Sequence, residues 1–281
     1  MKLAVMGASG LVGAELMRVA RTRGHVAIGA ARNVRGEATH TVDLADRKSI
    51  ATFLEVTRPS HVVVASAWPY VDGCESDPER SHRDNVETVT NLIAEASPET
   101  RIVFFSTDHV FDGKKDRPYV ESDATNPLSV YAKHKLAVEE LLLARGHSLI
   151  TRTAWVFGEE LGKKNFVYRV ATSARAGETM KVPTEQSGCP TSSRWLSEAT
   201  LTLLEAETDG IVHLTGSAPF TKKEWALEIV AALGLPPLNV EEVDWQKSGQ
   251  IAPRPVHVAL RSERHSLVQP PVREMLATLS I

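Results

Sequence analysis

Short apolar runs alternate with stretches whose apolar residues recur at helical spacing, and this rhythm constrains the fold more than any other feature. Lys2–Met6 (KLAVM) precedes Leu11, Val12, Leu16, Val19 and Ala20, which fall on one helix face before a second run, His25–Ala30. The pattern continues with a helical Ile50–Val56, the run His61–Ser66, a helical Asn85–Ala96, the run Arg101–Ser106, a helical Tyr131–Arg145 and the run Ser148–Thr153. A run such as HVVVAS has no polar alternation, which suits a strand covered on both faces in a parallel sheet. The expectation is an α/β fold with a doubly wound parallel Rossmann sheet over residues 1–155. After Trp155 the rhythm breaks. A helix over Asn165–Ala176, a turn-rich stretch 181–193, a short strand Ile211–Leu214, a helix Lys222–Leu233 and an irregular, proline-bearing Pro236–Pro255 describe a smaller C-terminal lobe, residues 156–281, packed across the strand ends. The strand near 211–214 has the option of returning to the core sheet.

Composition serves mainly to exclude. Lys and Arg number 32 against 35 Asp and Glu, a net charge of −3, which gives no electrostatic footprint for nucleic acid. No apolar run approaches the ~18 residues of a membrane span. The N-terminus lacks the long apolar core and cleavage site of a signal peptide. Cys74 and Cys189 fit no zinc spacing and point to a reducing compartment, with a single disulfide as the alternative. The ten histidines form no His-Glu-x-x-His pair, so no catalytic metal is expected. These features together imply a cytoplasmic protein. Its amphipathic helices cover a core or form a homodimer face, and the pattern leaves both arrangements open.

Gly7-Ala-Ser9-Gly10-Leu11-Val12-Gly13 sits where the first strand hands over to the first helix. There the first glycine permits a tight turn, the second lets a pyrophosphate approach the backbone, and the third allows close helix packing. The helix N-terminus then offers free N–H groups to the phosphates. The second strand ends in Ala30-Ala-Arg32-Asn-Val-Arg35, with no acid before Glu37. A guanidinium suits a ribose 2′-phosphate, so NADP is preferred, with NAD as the alternative.

Tyr131 and Lys135 are four residues apart on a predicted helix and share one face. A neighbouring ammonium favours the phenolate of a tyrosine whose ordinary pKa is near 10. Ser106-Thr107-Asp108 ends a predicted strand, at the sheet edge where open α/β sheets bind ligands. Thr107 could hydrogen-bond a carbonyl oxygen while Tyr131 protonates it.

Several segments together resemble the extended short-chain dehydrogenase/reductases, specifically the dTDP-4-dehydrorhamnose reductase family. They are Ser106-Thr-Asp-His-Val-Phe-Asp-Gly113, Pro118-Tyr-Val-Glu121-x-Asp123 and Pro127-Leu-x-Val-Tyr131-x-x-x-Lys135. Asp43-Leu44-Ala-Asp46, Val71-Asp72-x-x-Glu75-Ser-Asp-Pro78 with Asn85, Arg152-Thr-Ala-Trp155-Val-Phe-Gly158, Asn165-Phe166, Gln186-Ser-Gly-x-Pro190-Thr191 and Arg254-Pro255 extend the similarity. The resemblance implies an NADPH-dependent reduction of the 4-keto group of a nucleotide-linked deoxysugar. It implies Thr107, Tyr131 and Lys135 as the catalytic set, with Lys135 also holding the nicotinamide ribose. The cofactor would meet Gly7, Ser9, Gly10, Leu11, Val12, Gly13, Arg32, Asp43, Leu44, Ala65, Ser66, Ala67, Tyr131 and Lys135. Asp72, Thr107, Asp108, Trp155, Asn165, Arg194 and Arg254 would face the substrate. An aromatic face is a good floor for a sugar ring, although a core role suits Trp155 as well. Arg194, Lys163 and Arg254 are candidate partners for a diphosphate, with solvated surface charge as the equal alternative.

The chain also departs from the family. Where the family often has Asn-Ala-Ala, then Thr before Val-Asp and Lys after it, this chain has Ala65-Ser66-Ala67, then Trp68-Pro69-Tyr70, and Gly73 at the lysine's place. His109 replaces the usual tyrosine and argues against the nucleotide-sugar dehydratases, which carry a catalytic Glu after Thr-Asp. Two other readings stay open. The NADP-binding regulatory β subunit of methionine adenosyltransferase shares the Phe-Asp-Gly and Tyr-x-x-x-Lys region, and a nucleotide-sugar epimerase would hold its cofactor without net consumption.

Overall fold

The computed structural model describes residues 1–281, the Gln246 side chain apart. In chain order its elements begin β1 (Lys2–Met6), α1 (Leu11–Thr22), β2 (Val26–Ala31), β3 (His40–Thr41), α2 (Arg47–Thr57), β4 (His61–Val64), α3 (Val71–Ser76) and α4 (Pro78–His82). A π-helical turn (Arg83–Glu87) leads into α5 (Thr88–Glu95), β5 (Arg101–Thr107), α6 (Val130–Arg145) and β6 (Ser148–Thr153). Then come β7 (Val156–Phe157), α7 (Phe166–Ala176), β8 (Met180–Pro183), β9 (Ser187–Gly188), β10 (Thr191–Ser192), α8 (Ser193–Glu205) and β11 (Gly210–His213). The chain ends with β12 (Phe220–Thr221), α9 (Lys222–Ala232), β13 (Val240–Val243) and α10 (Val272–Ala277).

Seven strands form one sheet in the order β11-β6-β5-β4-β1-β2-β3, every neighbouring pair parallel. The order reverses between β1 and β4, which is the switch point where the crevice of a doubly wound sheet opens. Alternating residues feed the two faces, as the strand period of two requires. Leu3, Val5, Val63, Val103 and Leu149 pack against Leu16 and Met17 of α1 and Leu196 and Leu204 of α8. Ala4, Met6, Val62, Ile102, Phe104 and Ile150 face α2, α5 and α6 through Ile50, Leu92, Val138 and Leu142. A separate core of Phe157, Val167, Val170, Trp225 and Ile229 holds the C-terminal lobe.

Three stretches go beyond what the pattern indicates. Helix α8, for which the periodicity names no element, is buried at Trp195, Leu196, Ala199, Thr200, Leu201, Leu203 and Leu204. A helix covered on so many sides loses the single apolar stripe that betrays an amphipathic one. The turn-rich 181–193 contains three short strands, and the irregular 236–255 contains β13, which pairs with β8. Residues 193–214 share the core of the main sheet, with Val212 and Leu214 packed among β1, α1 and α8 residues. A division at residue 155 therefore divides the chain but not that core. Among the described residues no helix is long and apolar enough to cross a membrane, and both cysteines are free and buried.

A candidate active site at the sheet switch point

The turn after β1 is shaped by backbone proximity. Gly7 has φ +88°, and a Cβ there would lie 2.7 Å from the Ser66 backbone nitrogen. A Cβ on Gly13 would lie 2.3 Å from the Gly7 carbonyl oxygen, so α1 packs directly on the turn. Gly10 differs from both. It is exposed, and only the Gly7 carbonyl comes near, at 3.3 Å from a Cβ position. Gly10 caps α1 without a side-chain hydrogen bond, leaving the first-turn N–H groups beside Ser9, Leu11 and Val12 to an outside acceptor. Ala65, Ser66 and Ala67 leave β4 directly across from this turn, anchored by the Ala65 N–H on the Met6 carbonyl at 2.9 Å.

Past β2, Arg32 and Arg35 are exposed, and their guanidinium groups have no partner among the described residues. Glu37, the acid nearest to them in sequence, is engaged by Arg21. Asp43 and Leu44 follow β3, and the Asp43 carboxylate accepts from the Ala45 N–H at 3.0 Å. The donors and open space of this wall fit a dinucleotide with a 2′-phosphate better than one whose ribose seeks a carboxylate.

At the C-terminal end of β5, Thr107 is buried. Its hydroxyl donates to Asp108 Oδ1 at 3.1 Å and accepts from the His109 N–H at 3.2 Å. Ser129 caps α6, and Glu75 of α3 accepts from the Val130 N–H at 2.9 Å, which fixes where the helix begins. A cap of this kind contributes about 1 kcal/mol. One turn of α6 then brings Tyr131 and Lys135 to the same wall. Lys135 Nζ donates to the Phe105 carbonyl at 2.8 Å and lies 5.9 Å from the Tyr131 ring centre. Burial pulls the Lys135 ammonium down to about 8, against the opposing pull of Glu139 and Cys74. The Tyr131 phenol is pushed above its ordinary value, first by burial and then by Asp108 and Cys74. That direction is opposite to the one expected from Lys135 alone. The phenol keeps its proton until negative charge develops beside it.

Beneath this wall lies a fully buried network. Arg152 holds Glu139 through Nε and Nη2, the latter at 2.7 Å, and Ser106 adds its hydroxyl to the same carboxylate. Asn85, on the π-helical turn, accepts from the Trp68 N–H at 2.8 Å and donates to the Trp68 carbonyl, which pins the 65–70 loop. A π-turn at such a place is typical of functional sites.

The opposite wall comes from the C-terminal lobe. Trp155 is half-buried, with φ +42°, and Gly188 backs it so closely that a Cβ would stand 2.6 Å from the indole. Asp72 of α3 accepts from Arg254 Nη2 at 2.9 Å and from the backbone of Ile251 and Ala252, tying the lobes together. Burial works against the Asp72 carboxylate, but the bonds from Arg254 and the two backbone groups outweigh it and hold its pKa low.

Two residues expected at the substrate are occupied otherwise. Asn165 caps α7, accepting from the Val167 N–H at 3.1 Å and donating to the Gly158 carbonyl at 2.9 Å, so both ends of its amide are used. Arg194 is exposed on α8, paired with Glu198 and grouped with Glu15 and Arg18 of α1 instead of facing Trp155. Lys163 is exposed on the 158–164 loop. One residue without a sequence signal enters the site: Lys222, at the start of α9, lies over the Trp155 face. It stands in a Lys-Lys-Glu run that reads as a solvated helix end. A cavity of about 750 Å³ near Lys115, His213 and His257 is separate, since its lining includes neither the glycine turn nor Thr107, Tyr131 or Lys135.

Residues 1–278 match the model of the RmlD substrate binding domain family. The chain is 34% identical to a dTDP-4-dehydrorhamnose reductase of Burkholderia thailandensis, over 86% of this chain and 83% of that protein. It is 30% identical to the spore coat polysaccharide biosynthesis protein SpsK of Bacillus subtilis, over 92% and 88%. A crystal structure of a dTDP-4-dehydrorhamnose reductase from Clostridium acetobutylicum superposes with a TM-score of 0.87 at 26% identity, covering 99% of this chain and 97% of that one. The chain belongs to the RmlD substrate binding domain family, the dTDP-4-dehydrorhamnose reductase-like group of extended short-chain dehydrogenase/reductases.

Proposed function

We propose that the protein is an NADPH-dependent reductase of the 4-keto group of a nucleotide-linked deoxysugar, with Tyr131 as general acid. The observation that carries the reading is the convergence of Thr107, Tyr131 and Lys135 at the end of β5, beside the glycine turn of the switch point. Family membership and the names of the relatives support the same reaction class. Gly7, Ser9, Gly10, Leu11, Val12 and Gly13 would hold the pyrophosphate, Arg32 the 2′-phosphate, Asp43 and Leu44 the adenine side, and Ala65–Ala67 the opposite flank. When bound, the cofactor supplies a hydride.

The remaining chemistry belongs to the chain. The Thr107 hydroxyl turns from Asp108 to the ketone oxygen and polarises it. Tyr131 gives its phenolic proton to that oxygen as the carbonyl carbon gains a hydrogen and the C=O π pair moves onto oxygen. Lys135, held by the Phe105 carbonyl, stands close enough to stabilise the phenolate that results. Asp108 and Trp155 line the substrate side, and the Asp72–Arg254 pair closes it. The free buried thiols fit a reducing, cytoplasmic setting.

The test is NADPH oxidation by purified protein against a panel of nucleotide-linked 4-keto-6-deoxysugars. Turnover is expected, and Tyr131→Phe lowers kcat roughly 10²–10⁴-fold with NADPH affinity retained. NADPH binding without turnover on any member favours a regulatory binding protein instead. Near-normal turnover in Tyr131→Phe removes the phenol from the acid role.

A further inference from the structure

We infer that Lys222 is the anion-recognising residue of this crevice, holding the diphosphate of the substrate against the Trp155 face. The assignment rests on the nucleotide-sugar reading above and adds a specificity residue to it. Lys222 is half-buried at the start of α9, with Nζ 3.2 Å from the Trp155 ring centre and 5.1 Å from that of Phe166. Its ammonium makes no hydrogen bond and no ion pair with any described residue. The neighbouring Lys223, by contrast, is paired with Glu242 at 2.8 Å.

A half-buried ammonium with unused donors is costly unless a ligand supplies acceptors, and stacking on an indole offsets only part of that cost. Of the other candidate cations, Arg254 is bound to Asp72, Arg194 is bound to Glu198 on a different face, and Lys163 is exposed on the 158–164 loop. The helix end that carries Lys222 is rigid, because Thr221 and Glu224 form a reciprocal capping box. Lys222 therefore projects from a capped helix end onto the Trp155 face, within electrostatic reach of Asp108 at the end of β5.

The charges around it favour an anion. Asp108 and His109 at the end of β5, Arg169 on α7 and Arg254 on the C-terminal segment are the titratable and charged groups that face this region. Asp108 is the one acid whose charge acts on Lys222, against Arg169 and Arg254. Burial and those two cations outweigh Asp108 and pull the Lys222 ammonium down to about 7. A diphosphate seated here would raise it again, so binding above neutral pH must take up a proton.

Calorimetric titration of the NADP-saturated full chain with dTDP-glucose tests this. That probe has no keto group to reduce and no phosphate that titrates near neutrality. Paired buffers of different ionisation enthalpy report the protons. Wild type is expected to take up nearly one proton per ligand at pH 8 and almost none at pH 6. Lys222→Met, which keeps the apolar stem on Trp155, should bind about 10- to 100-fold more weakly at pH 6 and lose the extra uptake at pH 8. Lys222→Arg should restore most of the affinity without the pH dependence. Lys135, Asp108, His109 and Tyr131 are common to all three proteins, so the differences isolate Lys222. Equal affinity and equal proton uptake in wild type and Lys222→Met would overturn the assignment while leaving the nucleotide-sugar reading intact. Failure of dTDP-glucose to bind wild type at either pH would count against that reading itself, and the Lys222 assignment would fall with it.

Discussion

Removing the Glu139 carboxylate probes the ionic layer under the catalytic wall. Glu139 and Arg152 have side chains 1% and 3% exposed, and the guanidinium spends Nε and Nη2 on that carboxylate alone. Arg152 Nη1 is already buried without a partner. Glu139→Leu thus strands a buried charge and also frees the Ser106 hydroxyl. Breaking one side of such a pair costs about 3–5 kcal/mol, which for a chain of 281 residues is a fall of roughly 5–9 °C in Tm. Glu139→Leu combined with Arg152→Met removes both charges and should recover most of the loss. The same single substitution reaches the chemistry. Glu139 helps keep the Lys135 ammonium protonated against burial, which has already drawn it down to about 8. Without that carboxylate Lys135 loses its proton at lower pH, so the alkaline limb of the kcat profile moves toward acid. Urea midpoints followed by circular dichroism give the stability, and NADPH oxidation between pH 6 and 9 gives the limb. A loss under about 1 kcal/mol with an unmoved alkaline limb would refute the reasoning, because a pair this buried cannot be both dispensable and electrostatically coupled.

Two further outcomes follow from the geometry. Arg32→Ala should weaken NADPH about 10- to 100-fold while barely changing NADH, since the exposed, unpaired guanidinium has only the 2′-phosphate to gain. Equal losses for both cofactors, measured by fluorescence titration, would sink the assignment. His213 is 2% exposed, and burial lowers it from 6.5 to about 4. Between those values the unfolded chain holds a proton that the fold refuses. Stability is therefore fully present above about pH 6.5 and declines as pH falls toward 4, at up to about 1.4 kcal/mol per pH unit. Urea midpoints from pH 7 to 4 should fall less steeply in His213→Gln. An unchanged slope would show that other groups carry the acid sensitivity.

The features legible in the chain are those that local geometry dictates. Gly7, Gly10 and Gly13 stand within two turns of one another, so a tight turn and a helix start suffice to bring them together. The close approach of Gly13 to the Gly7 carbonyl is of that local kind, whereas Gly7 meets the distant Ser66 backbone only once β4 lies beside β1. Tyr131 and Lys135 share a face because 3.6 residues per turn leave no other choice. The apolar strands were readable because a two-sided parallel sheet demands uninterrupted apolar runs. Helix α8 was not, since burial on many sides erases the stripe that periodicity detects. The fates of Asn165, Arg194 and Lys222 were decided only by tertiary packing. Asn165 spends its amide on a helix cap and a nearby carbonyl, and Arg194 emerges on the α1 side of α8. Lys222, in an unremarkable polar run, is carried onto Trp155 by the lobe that folds back over the sheet. Spacing along a chain determines which side chains share an element's face. Which faces then meet, and which charges are left without partners between them, depends on contacts between residues far apart in sequence, and those exist only once both lobes have packed.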